Sequence, residues 1–573
     1  MFTGFGRPRP KLYTTSAMRL PRRLSLALLL CVLCVRLSFP SAYNGRPKLV
    51  VVIVIDQFRA DYLERYRDQF GEGGFKLFMD HGAYFTNCNY NYANTHTAPG
   101  HSTLFTGAYT SGHGIMNNEW WDPQKKRMVT SVQDDATKLV GIAGGATGAS
   151  PHNLRADTLG DELKLATQGK SRVFGVSLKD RASILPAGFA GDGAYWIDSK
   201  TGAWITSTYY RDELPKWIQE FNDGKRAGKY LNLEWKDASG NVLRTTKMPA
   251  GKQDFYGVVG TTPYANDYEF DFARELITYE KLGNGPATDL LSISLSANDI
   301  LGHRVGPDTP EMQAMALALD RQLAGFFDFL GKQFGLANVV IALSADHGVG
   351  PTAAVTSKLH ISSGTMPSDK MEAKLNSDLS AKLTPGHQTK FIEDFGFTML
   401  FLNDEAFAAA KVKEEDAERM VGESLKQMGM RGYYTKFQLA RNEVPNSAVE
   451  TKYANSYSPL GGWYVIAVPP PYVLFEDNGA DHGSPYTYDA HVPLLFYGLP
   501  FQPGTYRTSV EPVDMVVTLA SLLGINAPSH AIGRVLTESL ATRRGGEAPQ
   551  PEHPSSPPLS QVQPVKFLLE AAR

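Results

Sequence analysis

Residues 48–56 read KLVVVIVID, an unbroken apolar run of mostly β-branched side chains that closes on an aspartate. β-branched residues favour extended backbone, and a run without polar alternation suits a strand covered on both faces of a parallel sheet. The pattern returns in DLLSISLSAND (289–299) and NVVIALSADHG (338–348), each ending on Asp, and in VPLLFYG (492–498). At 514–524 the period changes: DMVVTLASLLG predicts a helix, with Asp514 as its N-cap and Gly524 as its stop. Strands alternating with helices predict an α/β fold on a doubly wound, mostly parallel sheet flanked by helices.

Two stretches differ in texture. Residues 190–285 are rich in Trp, Tyr and Gly, with YWIDSKTGAWITSTYY reading as a hairpin, and residues 355–475 mix charged helical patterns with loops. Both read as insertions over the sheet of one domain spanning 43–540. The stretch 541–573 is rich in Pro and Ser and reads as a disordered tail. No internal repeat is apparent.

Charge changes this picture little. With 57 Lys and Arg against 59 Asp and Glu, the chain offers no global surface for nucleic acid or anionic membrane. The N-terminus is more telling: Arg19, Arg22 and Arg23 precede an apolar run over 24–35, and small residues follow up to Ala42. That is the layout of a signal peptide over residues 1–42, which predicts a periplasmic or secreted protein. The run is too short to span a bilayer comfortably, and no later stretch supplies about 20 consecutive apolar residues. Removing the signal takes away Cys31 and Cys34 and leaves Cys88 alone, so no intramolecular disulfide is expected.

Ligands of open parallel sheets bind beyond the carboxyl ends of the strands, and three strands here deliver Asp56, Asp299 and Asp346 to that edge. Single aspartates after strands are common turn residues. Here two come with histidine: Asp299 and His303 stand at i, i+4, and Asp346 precedes His347. Mixed carboxylate and imidazole donors suit zinc, whereas magnesium or calcium would prefer oxygen alone. A third histidine, His482 or His491 in ADHGSPYTYDAHV, would complete the set, and position alone does not choose. YANTHTAPGHSTLFTG (92–107) adds a crowd of hydroxyls and imidazoles, which alone would be turn and cap residues.

Asp56, THTAPGH, SANDILGH, SADHG and DHGSPYTYD, in that order, resemble the alkaline phosphatase superfamily, most closely its single-chain PafA-type alkaline phosphatases, over residues 47–538. The resemblance implies an alkaline-phosphatase-like sandwich and two Zn²⁺. One would be held by Asp56, Thr97, Asp346 and His347. The other would be held by Asp299, His303 and His482, the last preferred to His491 because it occupies the family's H-G-S/T motif. The family's nucleophile falls on Thr97, and His101 is left to order its loop. HGIMNNEWWD implies a phosphoryl contact from Asn118, and VFGVSLKDRASILPAG implies contacts from Lys179 and Arg181.

The implied reaction is hydrolysis of phosphate monoesters through a phosphothreonine at Thr97, releasing inorganic phosphate. Two Zn²⁺ balance three aspartates and an alkoxide, so Lys179 and Arg181 are left to meet the dianion of a monoester. In an extended segment, residues two apart would point the same way. The partners implied are small phosphate esters, with the chain a monomer. A nucleotide pyrophosphatase or phosphodiesterase of the same superfamily is the alternative, and a non-catalytic, metal-stabilised binding protein is the alternative of another class.

Overall fold

The computed structural model describes residues 46–142, 144–475 and 479–541. The expected signal peptide and the expected tail from 542 onward lie outside the described residues. Eleven strands form the central sheet: β1 Leu49–Ile55, β2 Ala83–Asn89, β3 Gln133–Val140, β4 Thr147–Ala149, β5 Val173–Ser177, β6 Gly193–Ile197, β7 Trp204–Ser207, β8 Asp289–Leu295, β9 Val339–Ser344, β10 His491–Tyr497 and β11 Gly504–Tyr506. They lie in the order β11-β2-β10-β9-β1-β8-β5-β6-β7-β3-β4. The helices that matter here are α1 Thr97–Thr106, α2 Asp180–Ala187, α3 Tyr264–Tyr279, α4 Ala297–Val305, α5 Pro310–Phe334 and α6 Val513–Leu523.

All seven residues of β1 are buried, as are all those of β8 and β9, which is why β1 shows no polar alternation and why even Ser292 and Ser294 of β8 are covered. Each such Val, Leu or Ile contributes roughly 1.5–3 kcal/mol on burial. β1 pairs in parallel with both β8 and β9, β8 with β5, and β5 with β6. Outside this block the sheet is mixed rather than mostly parallel: β10 runs antiparallel to β9 and β2, β7 to β6, and β3 to β7 and β4. An apolar run such as VPLLFYG carries no record of its direction, since that depends on how the preceding connection returns.

Two further expectations are corrected. Residues 193–207, assigned to an insertion, extend the central sheet: the hairpin is real, pairing Trp196 with Ile205, but its first strand is the parallel neighbour of β5. Asp514 is the second residue of α6, whose N-cap is Pro512; its carboxylate accepts the amides of Glu511 and Arg534 instead. Gly524 does end α6 in the left-handed conformation, at φ 65°. Within 355–475, Ile392–Gly396, Met399–Leu402, Tyr464–Val468 and Gly432–Thr435 form an antiparallel sheet of their own. Its hydrophobic core, including Leu375, Leu400, Val421 and Val465, is separate from that of the main sheet.

Register decides the site. Ile55 pairs with Leu295, Val54 with Ser344, and Ser294 with Ser177, so β1, β8, β9 and β5 end almost level. Whatever follows each strand emerges at one edge.

Candidate metal and phosphoryl site

Asp56 follows β1 directly, Asp346 and His347 follow β9, and Asp299 and His303 project from the first two turns of α4. One helical turn brings His303 Nε2 to 3.1 Å from Asp299 Oδ1. His347 Nε2 lies 3.4 Å from Asp56 Oδ1 and 3.7 Å from Asp346 Oδ2. From the far end of the chain His482 places Nε2 4.0 Å from Asp299 Oδ1. Two sets of donor atoms lie close enough to share an ion: Asp299, His303 and His482, and Asp56, Asp299 and His347.

The three imidazoles are oriented in the same way. Nδ1 donates to a backbone carbonyl in each: to Ala480 at 2.9 Å from His303, to Gly348 at 2.9 Å from His347, and to Thr95 at 2.8 Å from His482. A carbonyl only accepts, so the proton sits on Nδ1 and the lone pair of the neutral ring is on Nε2, facing the aspartates. Asp56 Oδ1, Asp346 Oδ2 and His347 Nε2 are buried with no hydrogen-bond partner. Leaving a buried carboxylate oxygen unmatched is expensive, and a cation among these atoms removes that penalty. The donor set therefore fits divalent metal, and its mixture of nitrogen and oxygen fits zinc.

Electrostatics keep His347 and His482 neutral, whereas Asp299 favours the charged form of His303. Burial raises the Asp56 carboxyl well above its usual range, and the charges of Asp299 and Asp346 raise it further. Burial alone would also raise Asp299, but Lys179 and His303 hold it well below. Burial drives His347 and His482 down, keeping them neutral as ligands must be. Burial would lower His303 too, but neighbouring Asp299 lifts it to about 9.

Thr97 is buried at the start of α1, one residue after the N-cap His96. His101, a turn later, holds Thr97 O and Ser294 Oγ at 2.8 Å each and lies 3.3 Å from Asp346 Oδ2. Asn118 Oδ1 accepts the amide of Ala98 at 2.9 Å, which sets Asn118 beside Thr97.

Lys179 has extended backbone as the N-cap of α2, but Arg181 is already the second residue of that helix, so strand alternation does not relate their side chains. Lys179 Nζ donates to Asp56 Oδ2 and Asp299 Oδ2 at 2.6 Å each, whereas the Arg181 side chain keeps 25% of its exposure. His491 stands at the start of β10 with Nε2 3.0 Å from Thr86 O, outside both donor sets.

The sequence reading passed over Gln57 and Asn298. Gln57 adopts φ 63°, donates its amide to Asp346 Oδ1 at 3.1 Å and donates Nε2 to Asp299 Oδ1 at 2.8 Å. Asn298 Nδ2 donates to Asp56 O at 2.9 Å. The only trace of Gln57 in the sequence is Gly302 of DILGH, where a Cβ would stand 2.0 Å from Gln57 Oε1.

With this geometry in hand, residues 50–420 match the family described as type I phosphodiesterase / nucleotide pyrophosphatase. Alkaline phosphatase PafA of Elizabethkingia meningoseptica is 33% identical over 86% of this chain and 94% of its own length. The wild-type PafA crystal structure superposes with TM-score 0.79 at 32% identity, over 87% of this chain and 99% of that one. The chain is a PafA-like member of the alkaline phosphatase superfamily. A protein of Myroides odoratus named as a calcium-transporting ATPase is 34% identical over 86% of this chain and 95% of its length. Among the described residues of this superfamily member, no helix is long and apolar enough to cross a membrane.

Proposed function

We propose that the protein is a two-zinc phosphate monoesterase, exported from the cytoplasm by its N-terminal segment, that turns over through a phosphothreonine at Thr97. A phosphoric monoester hydrolase is supported by the PafA relative and its structure. The observation that carries the metal reading is the common orientation of His303, His347 and His482, each with Nε2 turned toward an aspartate carboxylate, together with the unpaired, buried Asp56 Oδ1 and Asp346 Oδ2 beside His347.

Asp56, Thr97, Asp346 and His347 would hold one ion, and Asp299, His303 and His482 the other. Bound Zn²⁺ supplies Lewis acidity, making a hydroxyl nucleophilic at neutral pH and offsetting charge on the attacking and leaving oxygens. The chain supplies position. α1 holds Thr97 at the cluster, with His101 fixing its carbonyl and Asn118 fixing the following amide. Gln57 and Asn298 lock the aspartates and the end of β1, so little reorganisation is needed on reaction. Arg181 would bind the phosphoryl oxygens in its planar fork, and Lys179 would bring a second positive charge to the same edge.

Attack by Thr97 Oγ forms the new P–O bond while the ester oxygen leaves on the opposite side, and water then releases inorganic phosphate. The terminal phosphoryl group of a nucleoside triphosphate presents the same chemistry, so a relative named for ATP hydrolysis fits the same site. In a second solved PafA structure a threonine, an asparagine, a lysine and an arginine are replaced together. Those four residue types match Thr97, Asn118, Lys179 and Arg181.

The test compares an aryl phosphate monoester, the matching diester and a sulfate ester on protein of measured zinc content, with Thr97→Ala as control. Clear preference for the monoester is expected, and Thr97→Ala should lose on the order of a thousandfold or more, as when a covalent nucleophile is removed. Equal rates on monoester and diester would reject the proposal.

A further inference from the structure

We infer that Phe397 is a specificity-determining residue: its ring forms an aromatic wall for the leaving group, and the smaller subdomain serves to deliver it. The inference rests on the monoester reading above.

Gly396 pairs with Met399, so Phe397 and Thr398 are the two residues of a tight hairpin turn. Phe397 has φ 57°, in the left-handed region. Two-residue turns with positive φ call for Gly, Asn or Asp, so the backbone gives no reason for phenylalanine. Packing within the subdomain gives none either. Phe395 and Met399 on either side are buried, but Phe397 is only partly covered and belongs to none of the hydrophobic clusters.

The ring reaches out of the subdomain into the site. It lies 4.5 Å from the His96 ring, just before the nucleophile, and stacks at 25° on His482 with centroids 5.9 Å apart. The same turn abuts the phosphoryl loop, since a Cβ on Gly396 would lie 3.5 Å from Asn117 Nδ2.

In-line displacement sends the ester oxygen away from Thr97 Oγ, toward the side held by Asp299, His303 and His482. His482 is the residue on which Phe397 stacks, so the carbon skeleton of the leaving group departs along that ring. His96 adds a second flat face, and its two ring nitrogens have no hydrogen-bond partner. Two flat rings bordering the exit favour a flat, apolar leaving group over a polyol.

The experiment measures kcat/KM for an aryl phosphate and for glycerol phosphate with the zinc-loaded enzyme, Phe397→Asn and Phe397→Tyr. Asparagine tolerates the left-handed turn and lacks the ring. Its aryl-to-glycerol ratio should fall about fivefold, while tyrosine should stay within about twofold of wild type. If the Asn variant does not fold, Phe397→Leu, which keeps bulk without aromaticity, should also lower the ratio. An unchanged ratio in a folded, active variant that lacks the ring overturns the inference alone. Wild-type enzyme that hydrolyses neither ester overturns the monoester reading, and this inference with it.

Discussion

Gly100 lies directly against Asp346: a Cβ on it would stand 2.3 Å from Asp346 O and 2.6 Å from Asp346 Cβ. The first turn of α1, which carries Thr97, and the loop after β9 are therefore in backbone contact, and only hydrogen fits between them. Gly100→Ala must push α1 off the aspartate. We expect a loss of about 1–3 kcal/mol in stability, as for overpacking of a filled core, together with a large fall in kcat. Denaturant midpoints and turnover measure the two. Wild-type kcat in Gly100→Ala would mean the contact does not position Thr97.

Chelation should abolish turnover and lower the melting temperature, and zinc should restore both. An ion bound only by the folded chain stabilises it by about 4 kcal/mol at a thousandfold excess over Kd. Asp299 is assigned to one ion but also lies within reach of Asp56 and His347, so Asp299→Ala should empty its own site and weaken the other, whereas His303→Ala should weaken one. Metal content per chain after dialysis distinguishes these outcomes.

Lys179 and Arg181 should separate monoesters from diesters. A diester has one charge fewer, so Lys179→Ala with Arg181→Ala should reduce kcat/KM for a monoester more than for its diester, by at least about tenfold, or roughly 1.4 kcal/mol. Lys179 also neutralises Asp56 and Asp299 at 2.6 Å, so the single Lys179→Ala should change metal affinity too, and Arg181→Ala should not. Equal losses on both substrates would remove the basis for calling the enzyme a monoesterase.

Stability of the smaller subdomain should fall as pH rises. Burial pushes Glu418 up to about 8, although it accepts the amides of Phe437 at 2.9 Å and Tyr464 at 3.3 Å. A carboxyl with a raised folded pKa binds more protons folded than unfolded, so its stabilising effect is complete below the ordinary carboxyl range. That effect declines as pH climbs through 4.5 toward 8. Hydrogen exchange in Tyr464–Val468 should quicken over that window beyond the intrinsic rate, and Glu418→Gln should flatten the trend. A slope identical in the variant would assign it to other groups.

Much of the architecture was legible because it rests on local pattern. β1 and β9 declare themselves by apolar runs, since a strand buried on both faces has no polar side to show, and β8 is legible from its Leu and Ile although Ser292 and Ser294 interrupt them. Asp299 and His303 could be paired by helical spacing alone. The path of the chain between strands was not legible. Residues 193–207 read as insertion because hairpins look alike wherever they dock, and VPLLFYG hid its antiparallel sense because a strand's composition is the same in either direction.

The sequence by itself supplied the candidate donors: three aspartates, a threonine, His303, His347 and either His482 or His491. Tertiary structure decided which atoms meet. His482 joins Asp299 and His303 across some 180 residues because its Nδ1 finds Thr95 O, and His491 is excluded because it turns to Thr86. Gln57 entered the site through a left-handed backbone and a glycine on a neighbouring helix, and strand alternation does not relate Lys179 to Arg181 because α2 begins between them. Contacts of this kind depend on the level register of β1, β8, β9 and β5, which forms only when the sheet is assembled.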